Sequence, residues 1–497
     1  MQHYFQALCC QPNTTMLRVN DESSDRASIC QAATELAIGL QKQGITCGDV
    51  VALVLPNSIF WYQAYLAINA IGALPMPIDP QAGKWEVANY LRQTNAKLCI
   101  ICNQYRSAVH DASLAAMTIP VFTVDTPRYD SIQSIEALRQ PGQLTPVANS
   151  CLMLACTSGT TGNAKIISVP QAGFLKSQQD MAKFLSLTPD DCMLLGMPLY
   201  HQGGFGMGMQ AILAGASVIY QAELDPEAFL STISEQKVSI VQLTPTVARL
   251  LLSLPNFAEY DISSLRLAYF AGEVLDQTLA ETFSQSLNIP VVNIIGSSET
   301  GTMVAWDSRT TKFANPSIFE PLPFSGVAVL DDQQQDCQEG ELWVHTDAVL
   351  LEYHGNPELS AQNIRIDELG QRWFATGDLV KRIDDQAIQF IGRQKRAIKR
   401  GANLIHPEEV EAFLVQHAGI QDACVVSQAH EVFGEQVIAY LVVTPGRLLT
   451  RGNILQYCLG RIAAYKVPDK IIFVDQLPEQ KGKRHLQQVK GLETDEV

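Results

Sequence analysis

Apolar and polar positions alternate in two rhythms along most of this chain. Over residues 28–44 the apolar side chains fall at helical spacing (Ile29, Ala32, Ala33, Leu36, Ile38, Leu40) and stop at Gly44. Compact apolar runs at 49–55, 73–78 and 97–102 read as strands, with helices expected at 58–71 and 86–94 between them. The rhythm returns after residue 170. Helices are expected at 174–185 and 205–213, and strands at 192–197, 216–220, 265–271 and 291–295. Strands alternating with helices at this spacing imply parallel sheets with helices on both faces. From about residue 310 to 391 the pattern shifts to short β-runs divided by Gly, Asp and Pro, which suggests a small antiparallel barrel or sandwich. Helix and strand then mix over about a hundred residues, enough for a small α+β domain. The expected fold class is therefore α/β. Residues 1–393 would form a core of two doubly wound α/β subdomains plus a small β-barrel, and 394–497 a separate α+β domain.

A chain of 497 residues is too long for one core, and 47% hydrophobic with 17% charged residues is an ordinary globular composition. The net charge of −16 argues against a general nucleic-acid or anionic-membrane binder, so an anionic ligand has to meet local cations. The twelve cysteines show no disulfide framework, and Cys99 and Cys102 lack a second pair to complete a zinc site. Reduced thiols and the lack of a signal peptide point to the cytoplasm. No apolar run approaches the roughly 20 residues that span a bilayer.

One stretch carries distinct chemistry. The apolar run 151–156 ends in Thr157-Ser158-Gly159-Thr160-Thr161-Gly162, followed by Asn-Ala-Lys165 and a second β-rich run. Gly159 and Gly162 let backbone approach a ligand closely, four hydroxyls donate, and Lys165 adds a cation. Backbone amides, hydroxyls and a lysine form a cradle for a polyphosphate. It is not a Walker loop: only two residues separate its glycines, where that motif needs four before a Gly-Lys pair, and no helix opens there. A flexible hairpin tip has the same composition, so other stretches must corroborate it.

Four do. Gly296-Ser-Ser298-Glu299-Thr-Gly301 follows a strand, which puts a carboxylate at the C-terminal edge where open α/β sheets bind ligands. Thr376-Gly377-Asp378 follows a short strand. Gly392-Arg393-Gln-Lys395 lies at the expected domain boundary, and Lys481-Gly482-Lys483 stands near the end of the chain, after Tyr465-Lys-Val-Pro468. Each alone is ordinary turn or tail chemistry. In this order they resemble the adenylate-forming superfamily of acyl-CoA synthetases, amino-acid adenylation domains and luciferases, over essentially the whole chain.

The resemblance implies roles. Thr157, Ser158, Gly159, Thr160, Thr161, Gly162 and Lys165 match the loop that handles pyrophosphate, and Glu299 the Mg²⁺-binding glutamate. Asp378 matches the acid that binds the ribose hydroxyls, Arg393 the arginine near the same sugar, and Gly272 with Glu273 the segment lining adenine. Lys395 takes the hinge position. Lys483 matches the mobile catalytic lysine, with Lys481 a second candidate because one residue is missing before the Gly-Lys pair. A carboxylate attacks the α-phosphorus of ATP, and Lys483 with Mg²⁺ at Glu299 offsets the developing charge. The small domain then rotates, and a thiol displaces AMP.

Four positions depart from the family pattern. Ala164-Lys165-Ile166 stands where Pro-Lys-Gly is usual, Ile295 replaces an aromatic before Gly296, and Ser298 replaces a threonine. Pro198-Leu-Tyr200-His201-Gln202-Gly203-Gly204 resembles the acyl-CoA synthetase substrate segment, with His201 beside the acyl pocket and moving between half-reactions. His201, Gln202, Gly203 and Gly296 are the expected substrate contacts. Gln202 stands where amino-acid-activating relatives place an aspartate, which disfavours a standard α-amino acid. The expected function is an ATP-dependent, AMP-forming ligase joining a small carboxylic acid to CoA. The alternatives are a stand-alone ligase loading the phosphopantetheine of a separate carrier protein, and an adenylate-binding protein that has lost catalysis.

Overall fold

The computed structural model describes residues 16–19, 22–102, 119–123, 133–157, 165–221, 224–273, 275–331, 333–393, 398–401, 403–477, 479–480 and 483–484. Its first sheet is all parallel, in the order Leu74–Pro77, Val50–Val54, Leu98–Ile101, Val121–Thr123, Gln133–Ser134. The strand Val50–Val54 is buried on both faces, as its unbroken apolar run demands. The helix Arg26–Lys42 begins where Asp25 accepts from the Ser28 N–H, and the chain leaves its end through Gly44 at φ +83°.

The second sheet holds the middle of the chain. Its strands Ser217–Tyr220, Cys192–Leu195, Ile240–Leu243, Leu267–Phe270 and Val291–Ser297 are parallel neighbours in that order. The helices Gln171–Phe184 and Gln202–Ala214 pack on this sheet, and the second starts at Gln202, three residues before the expected 205. The switch to antiparallel pairing also comes early. Gly301–Asp307 folds straight back on Val291–Ser297, so antiparallel strands begin at Gly301 rather than near 310. Ile318–Pro321, Ile388–Arg393, Arg372–Arg382, Glu339–His345 and Gly326–Leu330 continue from there along the same sheet. A third, three-stranded sheet joins Cys151–Thr157, Lys165–Pro170 and Glu352–Tyr353.

Beyond Ile398 the chain builds a five-stranded sheet of its own. It contains Asn403–Ile405, Ile398–Arg400, Gly434–Val443, Ile420–His430 and Lys470–Val474, and it carries a core centred on Ile405, Phe413, Val425, Leu441 and Ile454. This lobe meets the first one at the helix Lys84–Thr94. A Cβ at Gly83 would lie 2.0 Å from the Arg461 carbonyl, and Trp85 packs edge-on against Phe413 at 5.8 Å.

The contact centres on an ion cluster. Lys466 is 3% exposed and pairs with both Glu86 and Glu409, the latter at 2.9 Å. Glu86 also accepts from the Gly83 N–H at 2.8 Å and from the Ala463 N–H at 2.7 Å. Burial opposes the Lys466 charge, but the two carboxylates more than offset it and hold its pKa well above the usual range. Burial pushes the Glu409 carboxyl up, with Lys466 acting against it.

Among the described residues nine cysteines are free thiols, while Cys30 is disulfide-bonded. The expectation of wholly reduced thiols is corrected at Cys30, for which no spacing in the chain names a partner. Among the described residues no helix is long and apolar enough to cross a membrane.

Replacing Lys466 by Met would leave two buried carboxylates facing each other without a cation. The variant should lose roughly 3–5 kcal/mol in chemical denaturation, and Lys466→Met combined with Glu86→Gln and Glu409→Gln should recover most of that loss.

Candidate functional site

The antiparallel pair Cys151–Thr157 and Lys165–Pro170 puts Thr157 opposite Lys165. Residues 158–164, with Ser158, Gly159, Thr160, Thr161 and Gly162, lie outside the described residues, and of Thr157 only the backbone is placed. The β-rich run expected after the loop is present, and Lys165 heads it.

Glu299 sits at the tip of the hairpin made by Val291–Ser297 and Gly301–Asp307. Gly301 turns that tip at φ +68°, and a Cβ at Gly296 would lie 2.7 Å from the Gly301 carbonyl. The Ser297 and Thr300 hydroxyls are 2.9 Å apart across the turn. Glu299 and Lys165 come together through a residue with no recognised motif around it. The Leu350 N–H donates to the Glu299 carbonyl at 2.7 Å, the Leu351 N–H to Ser168 at 2.8 Å, and the His354 N–H to Ile166 at 2.7 Å. This crossing segment carries Tyr353, whose hydroxyl donates to Glu299 Oε1 at 3.4 Å while Lys165 Nζ lies 5.7 Å from its ring centroid. Burial raises the Tyr353 pKa, and the neighbouring Glu299 charge adds to it, so the phenol stays protonated. Sequence reasoning missed Tyr353, and its place in a two-residue strand left no periodic signal.

Asp378 and Arg393, fifteen residues apart in sequence, are direct register partners on Arg372–Arg382 and Ile388–Arg393. Asp378 is buried at 3% exposure, and the preceding Gly377 has φ +72°. The Gly377 N–H donates to Glu341 at 2.9 Å, which anchors the bend. Gly272 follows Leu267–Phe270 at φ +92°. The Glu273 carboxylate turns away to accept from the Thr246 N–H and hydroxyl at 3.1 and 2.7 Å, at the start of the helix Pro245–Leu252. Both bonds use Oε2, and Oε1 has no hydrogen-bond partner. Ile295 is half-buried against the core, and Ser298 is half-exposed on the hairpin tip.

His201 caps the helix Gln202–Ala214, with the Tyr200 ring 4.9 Å from its own. Burial lowers its pKa, and the charge of Asp79 acts in the opposite sense. Burial raises the Asp79 carboxyl in turn, with His201 the strongest opposing charge and Lys466 a weaker one. Asp79 thus stands between the substrate-segment histidine and the lobe contact, a placement no motif signalled. Gln202 is 9% exposed, and Gly203 packs on Met197. A Cβ at Gly204 would meet the Pro198 carbonyl at 2.1 Å, so glycine is required there for close packing. Lys395 and Lys481 lie outside the described residues, and of Arg393 and Lys483 only the backbone is placed.

The AMP-binding enzyme family matches residues 10–354, and the AMP-binding enzyme C-terminal domain matches residues 409–483. The chain belongs to the AMP-binding enzyme family, within the adenylate-forming superfamily and of the acyl-CoA synthetase type. An indoleacetate–CoA ligase of Aromatoleum aromaticum is 26% identical over 478 residues, covering 94% of this chain and 92% of the relative. The long-chain-fatty-acid–CoA ligase FadD13 of Mycobacterium tuberculosis is 27% identical over 456 residues, covering 90% and 88%. Among solved structures, the amide bond synthetase McbA of Marinactinospora thermotolerans matches with TM-score 0.87 at 21% identity. The o-succinylbenzoate CoA synthetase MenE of Bacillus subtilis matches with TM-score 0.86 at 21% identity, and each match covers 99% of both chains. These two likenesses establish the fold.

Removing the Tyr353 hydroxyl should lower the adenylation rate about tenfold, the lower end of what a hydrogen-bond partner of a metal-holding carboxylate contributes. Tyr353→Leu, which also strips the ring from Lys165, should lower it further, and pyrophosphate exchange measures both. A histidine whose pKa is lowered from its usual 6.5 is neutral throughout the range above that value. Activity that needs neutral His201 should therefore fall only below about pH 6.5. Because Asp79 holds the His201 pKa up, Asp79→Asn should move that acid limb to lower pH in a kcat profile.

Proposed function

We propose that the chain is an AMP-forming acid–CoA ligase. It activates a carboxylic acid with ATP to an acyl-adenylate, releasing pyrophosphate, and then passes the acyl group to the thiol of CoA. The observation that carries this reading is the convergence of Glu299 and Lys165 on Tyr353 at the mouth of the loop closed by Thr157 and Lys165. Ligase activity toward CoA in relatives that align along nearly the whole chain supports the choice of acceptor.

Two anions meet in the first step, so the site must supply positive charge without demanding solvent reorganisation. Lys165 and the loop amides hold the β- and γ-phosphates. Glu299 is a single, half-exposed carboxylate braced by the Tyr353 hydroxyl, which suits Mg²⁺, an ion that takes few protein carboxylates and completes its shell with phosphate and water. Bound there, Mg²⁺ would offset negative charge on the phosphates. Asp378 accepts from the ribose hydroxyls with Arg393 across from it, and the Gly272–Glu273 backbone lines the base. Lys483 enters from the small lobe to neutralise the α-phosphate as the carboxylate attacks. The lobe then turns about Lys395, Lys483 leaves, and the thiol attacks the acyl carbon, with AMP as the leaving group. His201, held neutral, lies beside the acyl group in both steps.

The enzyme incubated with ATP, Mg²⁺, CoA and a panel of carboxylic acids should release AMP and pyrophosphate, with an acyl-CoA as product by mass. A panel wholly silent in pyrophosphate exchange would overturn the reading. Lys483→Ala should abolish adenylate formation yet largely spare thiolation of a supplied acyl-adenylate. Equal loss of both half-reactions would show that Lys483 does not act in this way.

A further inference from the structure

The lobe contact buries more negative charge than positive, an excess that the chemistry above does not use. Around Lys466 stand Glu86 and Asp79 from the first lobe and Glu409 from the second. Glu86, Glu409 and Lys466 are each no more than 3% exposed, and Asp79 is half-buried. With every carboxyl ionised, one ammonium would face three carboxylates in a dry contact. An uncompensated buried charge is costly, and a proton removes it at far lower cost.

Hydrogen bonding shows which carboxyl takes the proton. Glu86 Oε1 accepts from Lys466, and its Oε2 accepts from the Gly83 and Ala463 N–H groups at 2.8 and 2.7 Å. Three donors point at its two oxygens, which suits a carboxylate that only accepts. Asp79 Oδ1 accepts from the Gln81 N–H at 2.8 Å, and this side chain is the least buried of the three. Glu409 differs. Its Oε1 accepts from Lys466 at 2.9 Å, while its Oε2 is buried and has no donor. A proton on Oε2 removes the charge and leaves Oε1 to accept from Lys466 as before. Burial pushes the Glu409 carboxyl above its usual 4.5, in agreement with this assignment.

The other groups that face the contact do not take this proton at neutral pH. Burial raises Tyr90 and Tyr465 and pushes the Cys156 thiol up to about 12, so all three already carry their own. His201 lies beyond Asp79, and burial lowers its pKa. On the helix Pro407–Leu414 that bears Glu409, His406 stands at the N-terminal cap, and the Glu411 carboxylate accepts from the Val425 N–H at 2.6 Å. Arg400 donates to Asp469 at 2.6 Å and to the Tyr465 carbonyl at 3.0 Å.

We propose that docking of the second lobe in this orientation takes up one proton, carried on Glu409 Oε2, so that the contact is a latch that tightens at low pH and loosens at high pH. Glu409 is then a positioning residue, acting on the reaction only through the orientation of its lobe. The latch presupposes the lobe rotation of the reaction proposed above. In a lobe swung away, Glu409 faces water and returns to its usual 4.5, whereas in the contact it is raised. The proton's contribution to docking is therefore complete below about 4.5 and is lost as pH rises through the docked value. Between the two values, one proton makes the docking equilibrium fall about tenfold per pH unit.

Fluorescent labels on non-canonical amino acids at Leu369 in the first lobe and Leu448 in the second, 83% and 98% exposed, report the lobe distance by energy transfer in the full chain. From pH 5 to 9 the ratio of docked to undocked molecules should fall, by up to about tenfold per unit. Glu409→Gln, a neutral isostere of the protonated acid, should keep its Tm, stay docked at pH 9 and flatten the titration. Asp79→Asn should leave the slope in place. A wild-type ratio constant over the whole range overturns the proposal, as does a slope that survives in Glu409→Gln or vanishes in Asp79→Asn. Above pH 6.5 the rates of pyrophosphate exchange and of thiolation of a supplied acyl-adenylate should also diverge with pH in wild type relative to Glu409→Gln. An identical pH course of their ratio in both proteins overturns the latch. Energy transfer needs no turnover, so silence in exchange with every acid overturns the adenylation reading and leaves the lobe titration to decide the latch by itself.

Discussion

The arrangement of the two lobes depends on one ammonium held between two carboxylates in a dry contact. Glu86 belongs to the first lobe and Lys466 and Glu409 to the second, and all three are almost wholly buried. Such a cluster gains less over a hydrophobic contact of equal size than its short distances suggest, because all three charges were taken out of water. What it provides is orientation. The Gly83 and Ala463 N–H groups both point at Glu86, one from each lobe, so a small rotation breaks several charge-assisted bonds together. One Glu409 oxygen has no partner, and two carboxylates against one cation leave a net negative charge. A lobe contact that is specific but only modestly favourable suits the proposed reaction, in which the same lobe would take up a second orientation.

The first lobe, by contrast, carries the groups proposed to face the nucleotide on its strands and hairpin turns. Glu299 rides the tip of one hairpin, Lys165 opens the second strand of another, and Asp378 and Arg393 face each other by register. Sites set on strands are held more closely than sites set on loops, because the ladder fixes each backbone position. The segment from Leu350 to His354 adds the cross-brace. Its backbone bonds to Glu299 on one side and to Ser168 and Ile166 on the other, so one tyrosine can serve both the carboxylate and the lysine.

Much of this was legible in the chain itself, and the reason is local. The run before Thr157, the glycine-framed turn around Glu299 and the Thr376-Gly377-Asp378 bend are all short-range patterns with a physical cause. The parallel αβ rhythm is equally local. Contacts made between distant segments were not legible. Tyr353 lies 54 residues from Glu299 and meets it only because a two-residue strand pairs with Lys165–Pro170. Glu86 and Lys466 are 380 residues apart, and neither neighbourhood has a spacing that names the other. The expected helix start at 86 was two residues late although its signal is local: Glu86 closes the first turn of Lys84–Thr94 by bonding back to Gly83, a capping pattern three residues long.

The glycines of the helix Gln202–Ala214 show how one pattern carries two kinds of packing. Gly204 and Gly208 are bare because the Pro198 carbonyl and the Tyr220 hydroxyl come too close for a Cβ, which is ordinary packing. Gly206 faces amide groups at contact distance, and a methyl there would fit without backbone strain. The Gln178–Gln210 pair beside it is itself buried, so this glycine too belongs to the packed interior, where a small residue lets two amides meet side by side.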